Sequence, residues 1–120
     1  MPNKKVLLAE DDATMVSLLK TLLKMEGFEI VSLHADEDVV QAIKKEKPAI
    51  LILDLHLGSQ NGLDILDEIR KQNETRNLPV IMSSGASVKE ECINRGANGF
   101  LMKPYMPDDL ISLLKENIVT

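Results

Sequence analysis

The stretch from Ala49 to Gly62 limits the fold more than any other: Ala-Ile-Leu-Ile-Leu-Asp-Leu-His-Leu-Gly-Ser-Gln-Asn-Gly. An unbroken apolar run ends in a single carboxylate, Asp54, and a short loop then closes on Asn61-Gly62. A run of this length suits a strand buried on both faces, as in a parallel sheet covered by helices. Sheets of that kind bind ligands outside the carboxyl ends of their strands. Asp54 is therefore expected at such an edge, and what the chain does depends on the groups that meet it there.

The rest of the chain supplies strands and helices in alternation. Lys4–Ala9 reads as a first strand ending in Glu10-Asp11-Asp12. Met15, Val16, Leu18, Leu19, Leu22 and Leu23 then recur at helical spacing, and Gly27 sits at a helix-stop position. Phe28–Leu33 is a second strand. Asp36 is the expected N-cap of a second helix running to about Glu46. Leu63–Gln72 is a third helix and Val80–Ser84 the fourth strand. Ser87 with Glu90 reads as a capping box opening a short fourth helix that stops at Gly96. Phe100–Lys103 is a fifth strand ended by Pro104, and Pro107-Asp-Asp opens the last helix. Regular alternation argues for an α/β, doubly wound five-stranded parallel sheet of flavodoxin-like type, with helices on both faces. Right-handed crossovers with a central first strand give the order 2-1-3-4-5.

Composition narrows the function classes. A chain of 120 residues, 44% hydrophobic and 28% charged, is expected to form one domain over residues 1–120. The net charge of −5, no Trp, one Tyr and two Phe argue against direct nucleic-acid binding, which needs a basic face and stacking platforms. No apolar run reaches the length of a membrane span, and the N-terminus turns acidic too soon for a signal peptide. The single cysteine, Cys92, fits a reducing, cytoplasmic setting.

In the expected order the strand ends bring Glu10 and Asp11, Asp54, Ser84 and Lys103 to one edge. Two carboxylates about 5 Å apart repel by roughly 3 kcal/mol at an effective dielectric of about 20. Three such groups call for a cation or raised pKa values, and an all-oxygen donor set favours Mg²⁺, with Mn²⁺ expected to substitute. Lys103 and Ser84 add a place for an anion. A phosphoryl group on Asp54 would offer one oxygen to the cation, one to the Lys103 ammonium and one to the Ser84 hydroxyl. The reaction inferred is in-line phosphoryl transfer to Asp54. Singly, each residue has an ordinary role as a cap, turn or surface group. Their joint arrival at one edge is what points to chemistry.

Those residues resemble the response-regulator receiver domain of two-component signalling, over nearly the whole chain. The matching features are Glu10-Asp11, Asp54 with Asn61-Gly62, Ser84, and Lys103-Pro104. The resemblance implies that Asp54 takes a phosphoryl group from a histidine kinase or histidine phosphotransfer protein. It implies that Glu10, Asp11, Asp54 and the main-chain carbonyl of His56 hold Mg²⁺. It also implies that Ser84 and Phe100 are switch residues. Their motion would reshape the face made by the fourth helix, fifth strand and fifth helix for an unknown downstream protein or effector domain. A cis Lys103–Pro104 bond is implied as well. A shift of the acid pair to Asp11 and Asp12 is the competing register. Homodimerisation through the fourth and fifth helices is left open.

Three departures from the family pattern stand out. Gly58 occupies a position where many receivers carry proline, and glycine there is expected to leave the loop freer. Gly85 follows Ser84 where alanine is usual, which leaves extra room. The span from Ser84 to Gly96 is short by roughly one helical turn. His56 also carries an imidazole expected beside the phosphoryl site, where it would influence hydrolysis. A signalling phosphoacceptor, catalysing at most its own phosphorylation and dephosphorylation, fits best. The rivals are a phosphorylation-independent docking receiver and an aspartyl-phosphate phosphohydrolase. The second wants an Asp where His56 stands and room for a cap domain. A flavodoxin-like flavin binder would need a Ser/Thr-rich phosphate loop and aromatics that the chain lacks.

Overall fold

A computed structural model describes residues 3–118. The ends of the domain expected over 1–120, residues 1–2 and 119–120, lie outside the described residues. The main sheet is built from β1 (Lys5–Ala9), β2 (Glu29–Leu33), β3 (Ile50–Asp54), β6 (Val80–Ser84) and β7 (Gly99–Met102). All pairings in it are parallel and its spatial order is β2-β1-β3-β6-β7, which is 2-1-3-4-5 when these five strands alone are counted. The helices are α1 (Ala13–Met25), α2 (Val39–Glu46), α3 (Gly62–Lys71), α4 (Lys89–Asn94) and α5 (Pro107–Asn117).

Alternation along the strands sorts the core into two layers, because successive side chains leave a strand on opposite faces. Leu7, Ala9, Leu51 and Leu53 meet Val39 and Ile43 of α2, Leu66 and Ile69 of α3 and Cys92 of α4. Val6, Leu8, Ile50 and Ile52 meet Leu19 and Leu23 of α1 and Leu110 and Leu114 of α5. β3 is buried at every position, as its unbroken apolar run requires. Leu18, counted with the apolar stripe of α1 in the sequence, turns outward and is 47% exposed.

Two helix starts differ from expectation. α2 begins after Asp38, whose carboxylate accepts from the Gln41 N–H at 3.1 Å. Asp36 lies within a turn closed by Glu37 N–H to the His34 carbonyl, so the helix starts later. The capping box at Ser87 and Glu90 does not form. α4 starts after Val88 with no side-chain cap, because a turn from Ala86 to Val88 carries the chain past Ser87 before the helix begins. α4 has only six residues, in keeping with the short Ser84–Gly96 span.

A third difference lies directly after Asp54. The expected short loop is a small antiparallel hairpin, β4 (His56–Leu57) and β5 (Gln60–Asn61), turning on Gly58-Ser59. Gly58 has φ +61°, the value that a type II′ turn requires at its first central position. A Cβ there would lie 2.7 Å from the Ala35 Cβ. Glycine does not loosen this loop; it permits a tight turn pressed against the β2–α2 connection. Gln60 fastens the same hairpin, its amide donating to the carbonyls of Ala35 (2.7 Å) and Glu37 (3.0 Å).

Candidate functional site

At the carboxyl edge of the sheet, β1, β3 and β7 end side by side or one strand apart, and their next residues form a charged cluster. Lys103 Nζ lies 2.7 Å from Glu10 Oε1 and 2.9 Å from Asp54 Oδ2. Both carboxylates are buried, Glu10 at 6% and Asp54 at 8% exposure. Burial alone would pull the Lys103 ammonium down. The hydrogen bonds to Glu10 and Asp54 outweigh it and leave the group above the ordinary lysine range. The Lys103 main chain is tied to the end of β6, its N–H donating to the Ser84 carbonyl at 2.8 Å; the Lys103–Pro104 peptide is cis.

The other oxygens of the two acids are held by the main chain. Glu10 Oε2 accepts from the Asp12 N–H at 3.1 Å, and Asp54 Oδ1 accepts from the His56 N–H at 3.2 Å. Asp12 itself is spent elsewhere. Its carboxylate caps α1 by accepting from the N–H groups of Thr14 (2.9 Å) and Met15 (3.1 Å). The geometry therefore pairs Glu10, not Asp12, with Asp54. Asp11 points to the hairpin, where its Oδ2 accepts from the Gly58 N–H at 2.5 Å.

The hairpin leaves one main-chain acceptor open. Gly62 N–H donates to the Leu55 carbonyl at 2.6 Å. Hydrogen-bonded pairs alternate along an antiparallel ladder, so His56 and Asn61 form a non-hydrogen-bonded pair and the His56 carbonyl makes no ladder bond. The His56 side chain is exposed. Asn61 caps α3 through its side-chain oxygen and the Leu63 N–H at 2.8 Å. Gly62 fits because it lacks a Cβ, which would lie 2.6 Å from the Asp54 carbonyl oxygen. The Asn-Gly pair thus brings the start of α3 hard against the end of β3 at Asp54.

Ser84 is 1% exposed and its Oγ accepts from the Ala86 N–H at 3.0 Å; the hydroxyl makes no hydrogen bond to the Asp54 or Lys103 side chain. Nothing lies within 4 Å of where a Gly85 Cβ would be, so that side of Ser84 is open. Phe100 is half-buried and packs on the layer that holds α2, α3 and α4. Tyr105, not singled out in the sequence, packs on the opposite layer. Burial, then the negative charge of Glu10, pushes its hydroxyl up to about 12. Its place one residue beyond Lys103-Pro104 was the available signal. Gln60 was also missed, and Gly58 was read as loosening a loop rather than as turning a hairpin. A Gly-Ser pair between Leu57 and Gln60 is a two-residue hairpin signal that a search for catalytic groups passes over.

Among the described residues, no three acidic or histidine side chains converge on a single cation position. The donor set nevertheless fits a hard divalent ion. Glu10, Asp11 and Asp54 set three carboxylates against one ammonium, leaving two negative charges to be balanced, and the donors in reach are oxygens.

The family model for the response regulator receiver domain matches residues 6–115. The chain belongs to this family. The transcriptional regulatory protein CpxR of Klebsiella pneumoniae is 33% identical over 114 residues, covering 92% of this chain and 47% of CpxR. A response regulator receiver domain protein from Clostridium thermocellum shares the structure at a TM-score of 0.84 with 26% identity, over 95% of this chain and 93% of that one. NtrX of Brucella abortus matches at a TM-score of 0.81 with 33% identity, over 94% of this chain but 27% of NtrX. The receiver chain spans about half the length of the regulators that it matches in sequence. The receiver domain of the sensor histidine kinase PA1611 of Pseudomonas aeruginosa, which holds a magnesium ion in its active-site cleft, shares the fold at 23% identity and a TM-score of 0.78. No helix among the described residues is long and apolar enough to cross a membrane.

Proposed function

We propose that this receiver is a cytoplasmic signalling phosphoacceptor, a single domain in which Asp54 accepts a phosphoryl group from a phosphohistidine of a kinase or phosphotransfer protein. The observation that carries the reading is the buried Asp54 carboxylate at the end of β3, sharing the Lys103 ammonium with Glu10. An Asp54 oxygen attacks phosphorus in line, the phosphorus–nitrogen bond of the donor breaks, and the nitrogen keeps its electron pair. Lys103, already within reach of Asp54 Oδ2, exchanges that contact for a phosphoryl oxygen. The Ser84 hydroxyl accepts from Ala86, so its own hydrogen is free to donate to a second oxygen. The Asp54–His56 N–H bond holds the carboxylate plane during attack.

Glu10, Asp11, Asp54 and the open His56 carbonyl are the groups that would hold Mg²⁺ or Mn²⁺. When bound, the ion supplies Lewis-acid neutralisation of the transferring oxygens. Reorientation of Ser84 toward the phosphoryl group, with Phe100 following, would alter the surface of α4, β7 and α5 for a downstream protein or effector domain. The receiver turns over no external substrate in this reading.

Intact mass after incubation with acetyl phosphate, with and without Mg²⁺, tests the assignment against Asp54→Asn. One phosphoryl group gained only with Mg²⁺ and only on the unmutated chain supports it. No adduct, together with no binding of beryllofluoride, would favour a docking receiver that works without phosphorylation.

A further inference from the structure

We infer that Gly58 is a positioning residue for the cation site, its main-chain N–H orienting Asp11 as a ligand. The inference rests on the cation assignment proposed above. Asp11 is exposed and follows β1 on a segment that leaves the sheet. Among the described residues, its side chain makes one hydrogen bond, to the Gly58 N–H across 47 positions of sequence. An exposed carboxylate without that bond samples its rotamers freely, and fixing it on cation binding would cost entropy. With Oδ2 held, Oδ1 remains unengaged and available to an ion.

The donor exists because of three linked features. The two-residue turn places residue 58 at φ +61°, a conformation that glycine adopts without strain. The turn is pressed against Ala35 and fastened by Gln60, so the N–H direction is fixed by the β2–α2 connection. The residue also carries an N–H at all, which a proline would lack. The acid pair and the acceptor loop are thereby tied together before any ion arrives. Hydrogen bonds of this outer-shell kind orient ligating carboxylates, and losing one weakens metal binding by about tenfold or more.

The test compares Mg²⁺ affinity by calorimetry in the unmutated protein, in Gly58→Pro, and in the double variant Ala35→Gly/Gly58→Ala. The double variant keeps an N–H at position 58 and removes the methyl that an added Cβ would strike, while both variants bear the backbone strain of a side chain at φ +61°. Gly58→Pro is therefore expected to bind Mg²⁺ about tenfold more weakly than the double variant. The Gly58 amide is followed by NMR in parallel, so that the inference stands or falls even if Gly58→Pro does not fold. A downfield, slowly exchanging Gly58 proton that persists at Mg²⁺ saturation supports it. A proton that moves upfield and exchanges freely as the ion binds overturns it, because the N–H would then be a competitor of the cation. Equal affinities in Gly58→Pro and the double variant overturn it alone. No Mg²⁺ binding by the unmutated protein overturns the proposed cation site as well.

Discussion

Replacing Lys103 with Met removes the one cation between two buried carboxylates while keeping most of the side-chain volume. Lys103 Nζ lies 2.7 Å from Glu10 Oε1 and 2.9 Å from Asp54 Oδ2, so the two oxygens are at most about 5.6 Å apart. At an effective dielectric of about 20, two bare charges at that separation repel by roughly 3 kcal/mol. Removing one partner of a buried ion pair costs about 3–5 kcal/mol. The Lys103 side chain keeps a quarter of its surface in water, which lowers both figures. A net loss of about 2–3 kcal/mol near neutral pH is expected.

Urea unfolding reads the loss, and one condition separates charge from packing. Added Mg²⁺ should narrow the gap at neutral pH, because a cation then stands in for the ammonium. A loss below about 0.5 kcal/mol, or a loss unchanged by Mg²⁺, would refute the electrostatic account and leave Lys103 as a packing residue.

Four further outcomes follow from the same geometry. Asp12→Ala should cost about 1 kcal/mol of stability through the lost α1 cap but leave Mg²⁺ affinity within about twofold, whereas Asp11→Asn should weaken Mg²⁺ binding far more. Comparable weakening by both variants in calorimetry would move the acid pair to Asp11 and Asp12. Gly62→Ala drives a Cβ to 2.6 Å from the Asp54 carbonyl oxygen and should cost about 2 kcal/mol or more in urea unfolding while displacing the acceptor, seen as slower adduct formation with acetyl phosphate. Tyr105 is the only tyrosine, so ultraviolet titration reports it directly; the folded protein should ionise near 12 and the unfolded chain near 10. A raised folded value means that this stabilising contribution is full below about pH 10 and fades as pH climbs toward 12. His56→Ala should change the rate of phosphoryl loss several-fold, about threefold faster if the imidazole shields the site from water. Equal rates at several pH values would remove the imidazole from hydrolysis.

The parts of this chain legible in its sequence are those where one residue type has one physical solution. The unbroken Ile50–Asp54 run had to be a central strand, and the alternation around it left a single economical sheet order. Charged residues directly after apolar strands had to lie at the sheet edge. The register of the acids was harder, since Glu10, Asp11 and Asp12 are alike on paper. The geometry separates them by what the backbone asks for: α1 needs a cap, and Asp12 is placed to supply it. Helix starts failed for the same reason in reverse. Asp36 and Ser87 are good caps in isolation, but local turns displace both helix starts past them. The hairpin went unread because its strands are only two residues long, too short for any periodicity to show.

That hairpin changes how the site is to be understood. A free loop would let the Asp54 carboxylate, Glu10 and Asp11, and the α3 start move independently. Instead Gly58 ties to Asp11, His56 to Asp54, Gly62 to Leu55 and Gln60 to the β2–α2 connection. Each bond fixes one edge of the same short segment, so a shift of Asp54 on one side strains contacts on the others. On the far side of Asp54, Ser84 has its hydroxyl hydrogen uncommitted and Gly85 beside it is open. The site is therefore stiff where the acids sit and unobstructed where β6 ends. A group added to Asp54, as proposed, would find its open side beside Ser84 and Gly85, where β6 ends next to β7.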